Sequence, residues 1–276
     1  MLTLTSIEMN TWIAALLWPL TRILGMIAAA PLYGNNSVPM SSKIILGVLL
    51  ALIIAPAIPA LPAADPMSLA GLLILIQELL IGAAIGFSVR IVFAAVEMAG
   101  EVASLTMGLG FASVFDPQTR GRSSAVSQFL ALVATMAFLS VNGHLVLLEV
   151  LAESFITLPV SATPVSAAAP YELVKWAAVI FNVGLQLCLP IVAALLITNV
   201  ALGILTRAAP QLNIFGIGFP ISLGVGILVI SMALPYLSVP LQNLFNQGIE
   251  AARKVPRSAG ERSAPTAPTP VPAPPG

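Results

Sequence analysis

Long uncharged apolar runs separated by short polar punctuation organise this chain. A first run extends from about Trp12 to Leu32, interrupted only by Arg22. A second, Ile44 to Leu61, closes in a cluster of Pro56, Pro59, Pro62 and Pro66. A third begins near Leu69 and passes Glu78 before reaching Arg90. Ser123 to Leu148, Trp176 to Thr206 and Ala208 to Ile249 carry no formal charge when His144 is neutral. About 20 residues of helix at 1.5 Å each cross a bilayer core of about 30 Å, so such runs predict membrane helices. Six segments is the simplest count, although hairpins of shorter helices give the same hydropathy. The last run is roughly twice the length one crossing needs, and Pro220, Pro235 and Pro240 predict breaks or kinks in it. A transmembrane barrel requires short segments of alternating polarity. The runs here are continuous and rich in Leu, Ala and Ile, so the expected class is an all-α membrane protein.

Composition supports this reading. Hydrophobic residues make up 58% of the chain and charged residues only 8%, against about 25% charged in soluble domains. So few charges cannot cover a water-soluble surface. The 11 basic and 11 acidic side chains balance, which leaves no excess charge for binding nucleic acid. Cys188 is the single cysteine, excluding an intramolecular disulfide or a CxxC site and pointing to a small buried hydrophobe. The segment Met1–Asn10 lacks a basic n-region, so the first apolar run reads as a retained membrane segment.

Residues 1–250 are expected to form the membrane domain and residues 251–276 a disordered, Pro/Ala-rich cytoplasmic tail. Arg253, Lys254, Arg257 and Arg262 place that tail inside by the positive-inside rule. Alternation back from there would put Arg120 and Arg122 outside, against the same rule. Some of the apolar segments are therefore not simple alternating spans.

Ionisable groups within membrane helices cost about 2.5–3.5 kcal/mol each on insertion scales. Arg90, Glu97 and Glu101 fall within about 40° on one helix face. They form either a stripe facing a lumen or partner subunit, or a helix at the membrane–water interface. For Glu78 a hydrogen-bonded packing or interfacial role outweighs a proton relay, and Arg22 pairs either with it or with another chain. His144, in Asn142-Gly143-His144-Leu145, fits a helix-end turn better than a metal site. Gly82 and Gly86 form a GxxxG that permits close helix packing.

The most informative stretch runs from Met107 to Gln118. Gly108 and Gly110 each disfavour helix by about 1 kcal/mol relative to Ala, and Asp116-Pro117 signals a turn. Between them Met107, Leu109, Phe111, Val114 and Phe115 are too apolar for an ordinary exposed loop. Irregular backbone at membrane depth persists only when buried in protein or lining a cavity. The stretch is either a re-entrant packing loop or an apolar plug in a pore.

The order and spacing of several short motifs resemble the FliR/SctT family of type III export-gate membrane proteins. They include Trp18-Pro19-Leu20 with Arg22, Ala30-Pro31, Gly100-Glu101, Met107-Gly108-Leu109, Phe111-Ala112 and Asp116-Pro117. Asn142-Gly143-His144-Leu145, Arg207 with Ala209-Pro210-Gln211, and Ile217-Gly218-Phe219-Pro220 extend the match, which spans roughly residues 10 to 245, with wording closer to the flagellar FliR branch. The resemblance implies helical hairpins in a multi-subunit helical export gate in the inner membrane, at the flagellar basal body. The implied partners are FliP-like and FliQ-like subunits, a FlhB-like protein and unfolded exported flagellar proteins. It also implies that Met107, Gly108, Leu109, Gly110, Phe111, Val114 and Phe115 belong to a channel plug limiting ion leakage.

No cofactor or catalytic group is expected, since GxSxG, HExxH and any second histidine are absent from the sequence. The competing expectation is a secondary transporter of a small solute, with broken helices at Pro190 and Pro220, but few polar residues lie near those prolines.

Overall fold

The computed structural model describes residues 6–59, 62, 65–111, 123–164, 166, 168–209 and 214–260. In chain order its helices are α1 (Ser6–Ala29), α2 (Met40–Ile54), α3 (Leu69–Thr106), α4 (Ala125–Ser140), α5 (Gly143–Thr157), α6 (Ala168–Ala177), α7 (Val179–Ala208), α8 (Ile214–Ala233) and α9 (Ser238–Gly260). No strand occurs among the described residues, and the chain is an all-α membrane protein.

Helix α3 is the axis around which the others pack. Its start is fixed by Ser68, whose side chain accepts a hydrogen bond from the Gly71 amide, satisfying one of the orphan donors of the first turn. Its 38 residues extend about 57 Å, nearly twice a bilayer core. The interior of α3 is free of proline, and its small residues let neighbours approach its backbone. A Cβ at Gly82 would land on the Arg22 carbonyl oxygen of α1, and one at Gly86 would lie 2.6 Å from the Met26 carbonyl oxygen. Gly25 of α1 mirrors this, with the Leu79 carbonyl oxygen 2.5 Å from where its Cβ would be. The GxxxG thus packs within the chain, α1 against α3.

The principal core joins α1, α3, α4, α5 and α9 around Trp18, Ile85, Phe138, Phe155 and Phe245, all fully buried. Three rings from three helices meet there. Phe93 and Phe138 lie 5.7 Å apart edge to face, and Phe138 and Phe245 lie 5.1 Å apart in the same manner, a geometry worth about 0.5–1.5 kcal/mol per pair beyond area burial. Asn142, at φ 57, turns the chain between α4 and α5. Gly143 follows because a Cβ there would strike the Phe138 ring. This is the helix-end turn expected around His144.

Among the described residues, four helices are long and apolar enough to span a membrane, or five if α4 and α5, bent by 67°, count as one span. From Ala14 onward, much of α1 is buried against α3. Residues 251–260, expected as the start of a disordered tail, are helical. Helix α9 continues to Gly260, burying Ala252, Val255, Pro256 and Ala259 on the stripe that Leu241, Phe245 and Ile249 begin, a spacing of three and four residues. Pro235 marks a break, in the 3-10 turn Leu234–Leu237. Pro240 lies in the first turn of α9, where a missing amide costs little, while Pro220 lies inside α8, past its first turn.

Two arginines of α9 are also engaged within the fold. Arg253 pairs with Glu149 and Glu153 of α5 at 3.6 and 3.7 Å, and Arg257 pairs with Glu153 at 3.2 Å. Much of the remaining surface is apolar. On α7 it includes Phe181, Leu189, Leu196, Ile197, Val200 and Ile204.

Candidate functional site

Two polar arrangements and one apolar cluster carry the residues singled out in the sequence. The first polar arrangement is buried. Arg22 donates from Nε to Glu78 at 2.6 Å and from Nη2 to the other carboxylate oxygen at 2.9 Å. Its Nη1 donates to the Ser154 carbonyl and hydroxyl oxygens at 2.9 and 3.2 Å, and Nη2 to the Leu158 carbonyl at 3.0 Å. All five guanidinium donors are therefore used. The Phe155 ring lies 4.4 Å from the guanidinium carbon. Ser154 and Leu158 sit at the C-terminus of α5, where a cation complements both the free carbonyls and the helix dipole. The Arg22–Glu78 pair thus locks α1, α3 and the end of α5 together, the hydrogen-bonded packing role expected of Glu78.

The apolar cluster lies at the opposite end of α3. Met107 is the C-cap of α3 and is 0% exposed. It packs with Ala103, Ile191 and Leu195 of α7 and Ile230 of α8, while Leu109, Val126 and Leu223 flank the group. These residues form a second buried cluster, joined to the principal core through Val126, which packs against both. Gly108 follows at φ 87, a backbone conformation that glycine reaches without steric cost and that commonly stops a helix at this position. Its amide donates to the Leu105 carbonyl at 3.1 Å. Leu109, Gly110 and Phe111 then form a short 3-10 turn, with Leu109 and Gly110 half-buried. Val114 and Phe115 lie outside the described residues.

The far end of this loop returns to α3. The Ser124 amide donates to Glu101 Oε1 at 2.7 Å. Ser124, the N-cap of α4, accepts in turn from the Ser127 amide, and the Ser127 hydroxyl donates to the Glu97 carbonyl at 2.9 Å. Gly100 makes this approach possible, because a Cβ there would strike the Ser127 backbone. Glu101 therefore acts at the amino end of α4, where negative charge is favoured. Glu97 is half-buried and Arg90 exposed, so the three charges that share one face of α3 meet different surroundings.

Nothing in the residue pattern singles out Gly226. In α8 it faces the Met107 side chain so closely that an added Cβ would lie 2.6 Å from both Cγ and Cε. A second unanticipated contact joins α7 and α8, where the buried Ser222 hydroxyl donates to Asn199 Oδ1 at 3.1 Å. Among the described residues, no three His, Cys, Asp or Glu side chains gather as a metal site. Cys188 is buried with a free thiol, as its apolar setting predicted.

The fold and these arrangements define a helical membrane protein with a buried charge lock and a glycine-stopped apolar loop root. The chain belongs to the family described as bacterial export proteins, family 1, which it matches over residues 13–248. It is 43% identical over 247 residues to the flagellar biosynthetic protein FliR of Pectobacterium carotovorum subsp. carotovorum, covering 90% of this chain and 94% of that protein. Identity to the flagellar biosynthetic protein FliR of Escherichia coli (strain K12) is 39% over the same shares. To that of Bacillus subtilis (strain 168) it is 31%, covering 85% of this chain and 91% of the relative.

Proposed function

We propose that this chain is a core subunit of the flagellar type III protein-export gate in the inner membrane. It forms part of the channel that passes unfolded flagellar proteins, alongside FliP-like and FliQ-like subunits and a FlhB-like protein. The segment after α3 serves as a plug that limits ion leakage while the gate is at rest. The observation that carries this reading is the end of α3, where Met107 is fully buried and Gly108, at φ 87, turns an apolar chain off the helix.

A conduit for unfolded protein must be wide when open and ion-tight when closed. Apolar side chains close a constriction by excluding water, because an ion entering a dewetted passage loses its hydration. Leu109 and Phe111, with Val114 and Phe115, supply that apolar material. Met107 anchors its root, with a flexible side chain suited to filling irregular gaps. Arg90 and Glu97 supply polar groups that face the lumen or a neighbouring subunit.

The assembly claim is tested by purifying the chain in mild detergent from cells that make flagella. FliP-like and FliQ-like proteins are expected to accompany it. Recovery of the chain alone, with small-solute transport when reconstituted by itself, would contradict the proposal.

A further inference from the structure

Helices α6 and α9 meet around an open cavity of about 240 Å³, away from the charge lock and the end of α3. Leu173, Trp176 and Val255 give it an apolar wall, and Glu172, Lys175 and Lys254 a charged rim. The Trp176 indole is fixed, its Nε1 donating to the Ser88 carbonyl of α3 at 2.9 Å. Lys175 lies 3.7 Å from the Glu172 carboxylate and 4.9 Å from the centre of the Tyr171 ring. Lys254 is exposed and makes no ion pair among the described residues. Arg253 and Arg257 on the same helix are instead held by Glu149 and Glu153, and the exposed Glu250 does not line the cavity. The rim therefore carries two ammonium groups against one carboxylate.

The depth of this cavity follows from the chain around it. Only Ala178 separates α6 from α7, and its amide donates to the Lys175 carbonyl at 3.2 Å. The two helices run on as one apolar stretch, Ala169–Ala208, long enough to span a membrane. Tyr171, Lys175 and Trp176 all fall near its beginning, where amphipathic rings and lysines meet the headgroups of a bilayer. At seven-residue spacing from Lys175, Asn182, Leu189 and Leu196 continue one exposed line, with the exposed amide of Gln186 beside it. Charge, then amide, then hydrocarbon is the order of headgroup, ester and acyl chain in one leaflet. We propose that the cavity binds an anionic phospholipid, its phosphate between Lys175 and Lys254 and its acyl chains along the exposed line of α7. Basic pockets between membrane helices hold phosphate headgroups in this way. The surplus ammonium disfavours a choline headgroup, which brings a cation of its own. The site needs only the membrane fold and stands apart from the export reading.

The test is a lipid competition. The full-length chain, purified in mild detergent with any subunits it retains, is given equal amounts of phosphatidylglycerol and phosphatidylcholine with the same acyl chains. Bound lipid is counted by native mass spectrometry. Phosphatidylglycerol is expected to be retained preferentially, and Lys175→Gln and Lys254→Gln are each expected to weaken its retention about fivefold. Both side chains are exposed, so melting temperature and phosphatidylcholine retention should not change. Lys254→Arg keeps the charge and should keep the preference. Arg257→Gln removes a cation of the same helix outside the cavity and should leave the preference as it was. Equal retention of the two lipids overturns the site, as does a preference that survives both lysine substitutions together. An equal loss in Arg257→Gln would reduce the effect to general charge attraction and also overturn it. Inorganic phosphate in excess separates the two sources of the anion: if it strips the bound phosphatidylglycerol, the cavity takes a soluble anion and the lipid assignment falls.

Discussion

Arg22 and Glu78, 56 positions apart, meet through two parallel hydrogen bonds of 2.6 and 2.9 Å inside an apolar bundle where both are buried. Such a pair recovers its desolvation cost only when the remaining donors are also satisfied, and here Ser154 and Leu158 accept them. Removing one partner leaves an uncompensated buried charge. Glu78→Ala and Arg22→Ala are each expected to lower stability by about 3–5 kcal/mol, read as thermal unfolding in detergent and as loss of the chain from membranes. Arg22→Lys is expected to fail nearly as badly, since one ammonium cannot span a carboxylate and two further acceptors. Arg22→Met with Glu78→Met should recover most of the loss; a double variant no better than the singles would refute this account of the pair.

The α1–α3 contact makes a separate prediction. Gly82 touches the Arg22 backbone and Gly86 the Met26 backbone, so neither can accept a side chain without shifting a helix. Gly82→Val is expected to cost at least about 1–3 kcal/mol, the usual range for overpacking. Gly203 and Gly224, with nothing within 4 Å of an added Cβ, are the matched controls. Their alanine variants should melt close to the parent chain, and equal losses at all these sites would contradict the packing assignment.

Glu101 and Ser124 close the loop between α3 and α4. Glu101→Ala should cost about 1 kcal/mol, the scale of one hydrogen bond, and Ser124→Ala a similar amount through loss of a helix cap. Glu101→Gln keeps an acceptor and is expected to retain most of the stability. Detergent unfolding of the three variants checks this, and a glutamine variant as damaged as the alanine one would show that the hydrogen bond is not what matters.

The C-terminal boundary gives a fourth prediction. Terminating the chain after Gly260 should leave its melting temperature unchanged. Terminating after Glu250 removes the buried Ala252, Val255, Pro256 and Ala259 and should sharply reduce yield and stability. By contrast Arg257→Ala, which breaks an exposed ion pair, is expected to change stability by less than about 1 kcal/mol and to do so less at high salt.

Much of this fold was legible in the hydropathy pattern, because an apolar helix must bury or embed its surface and few polar residues interrupt it. The helical class, the turn at Asn142 and the stop at Gly108 all follow from local chemistry that residue type reveals. What escaped was non-local. A run of apolar residues reads alike whether it packs on α3, as α1 does, or faces outward, as α7 does. The proline-rich composition after Val255 hid the end of α9, since the stripe of Ala252, Val255 and Ala259 is built from small residues that score weakly. Gly226 could not be singled out at all: a glycine among several in an apolar helix acquires its meaning only when Met107 is laid across it.

The central claim is that the segment leaving α3 at Gly108 keeps an assembled export gate ion-tight. Its most direct measurement is small-ion conductance across membranes containing gates in which Gly108 to Ala112 have been deleted, with co-purification of the partner subunits confirming assembly. The account predicts intact assembly and a higher resting conductance than the parent gate. An assembled deletion variant that conducts no more than the parent would contradict it.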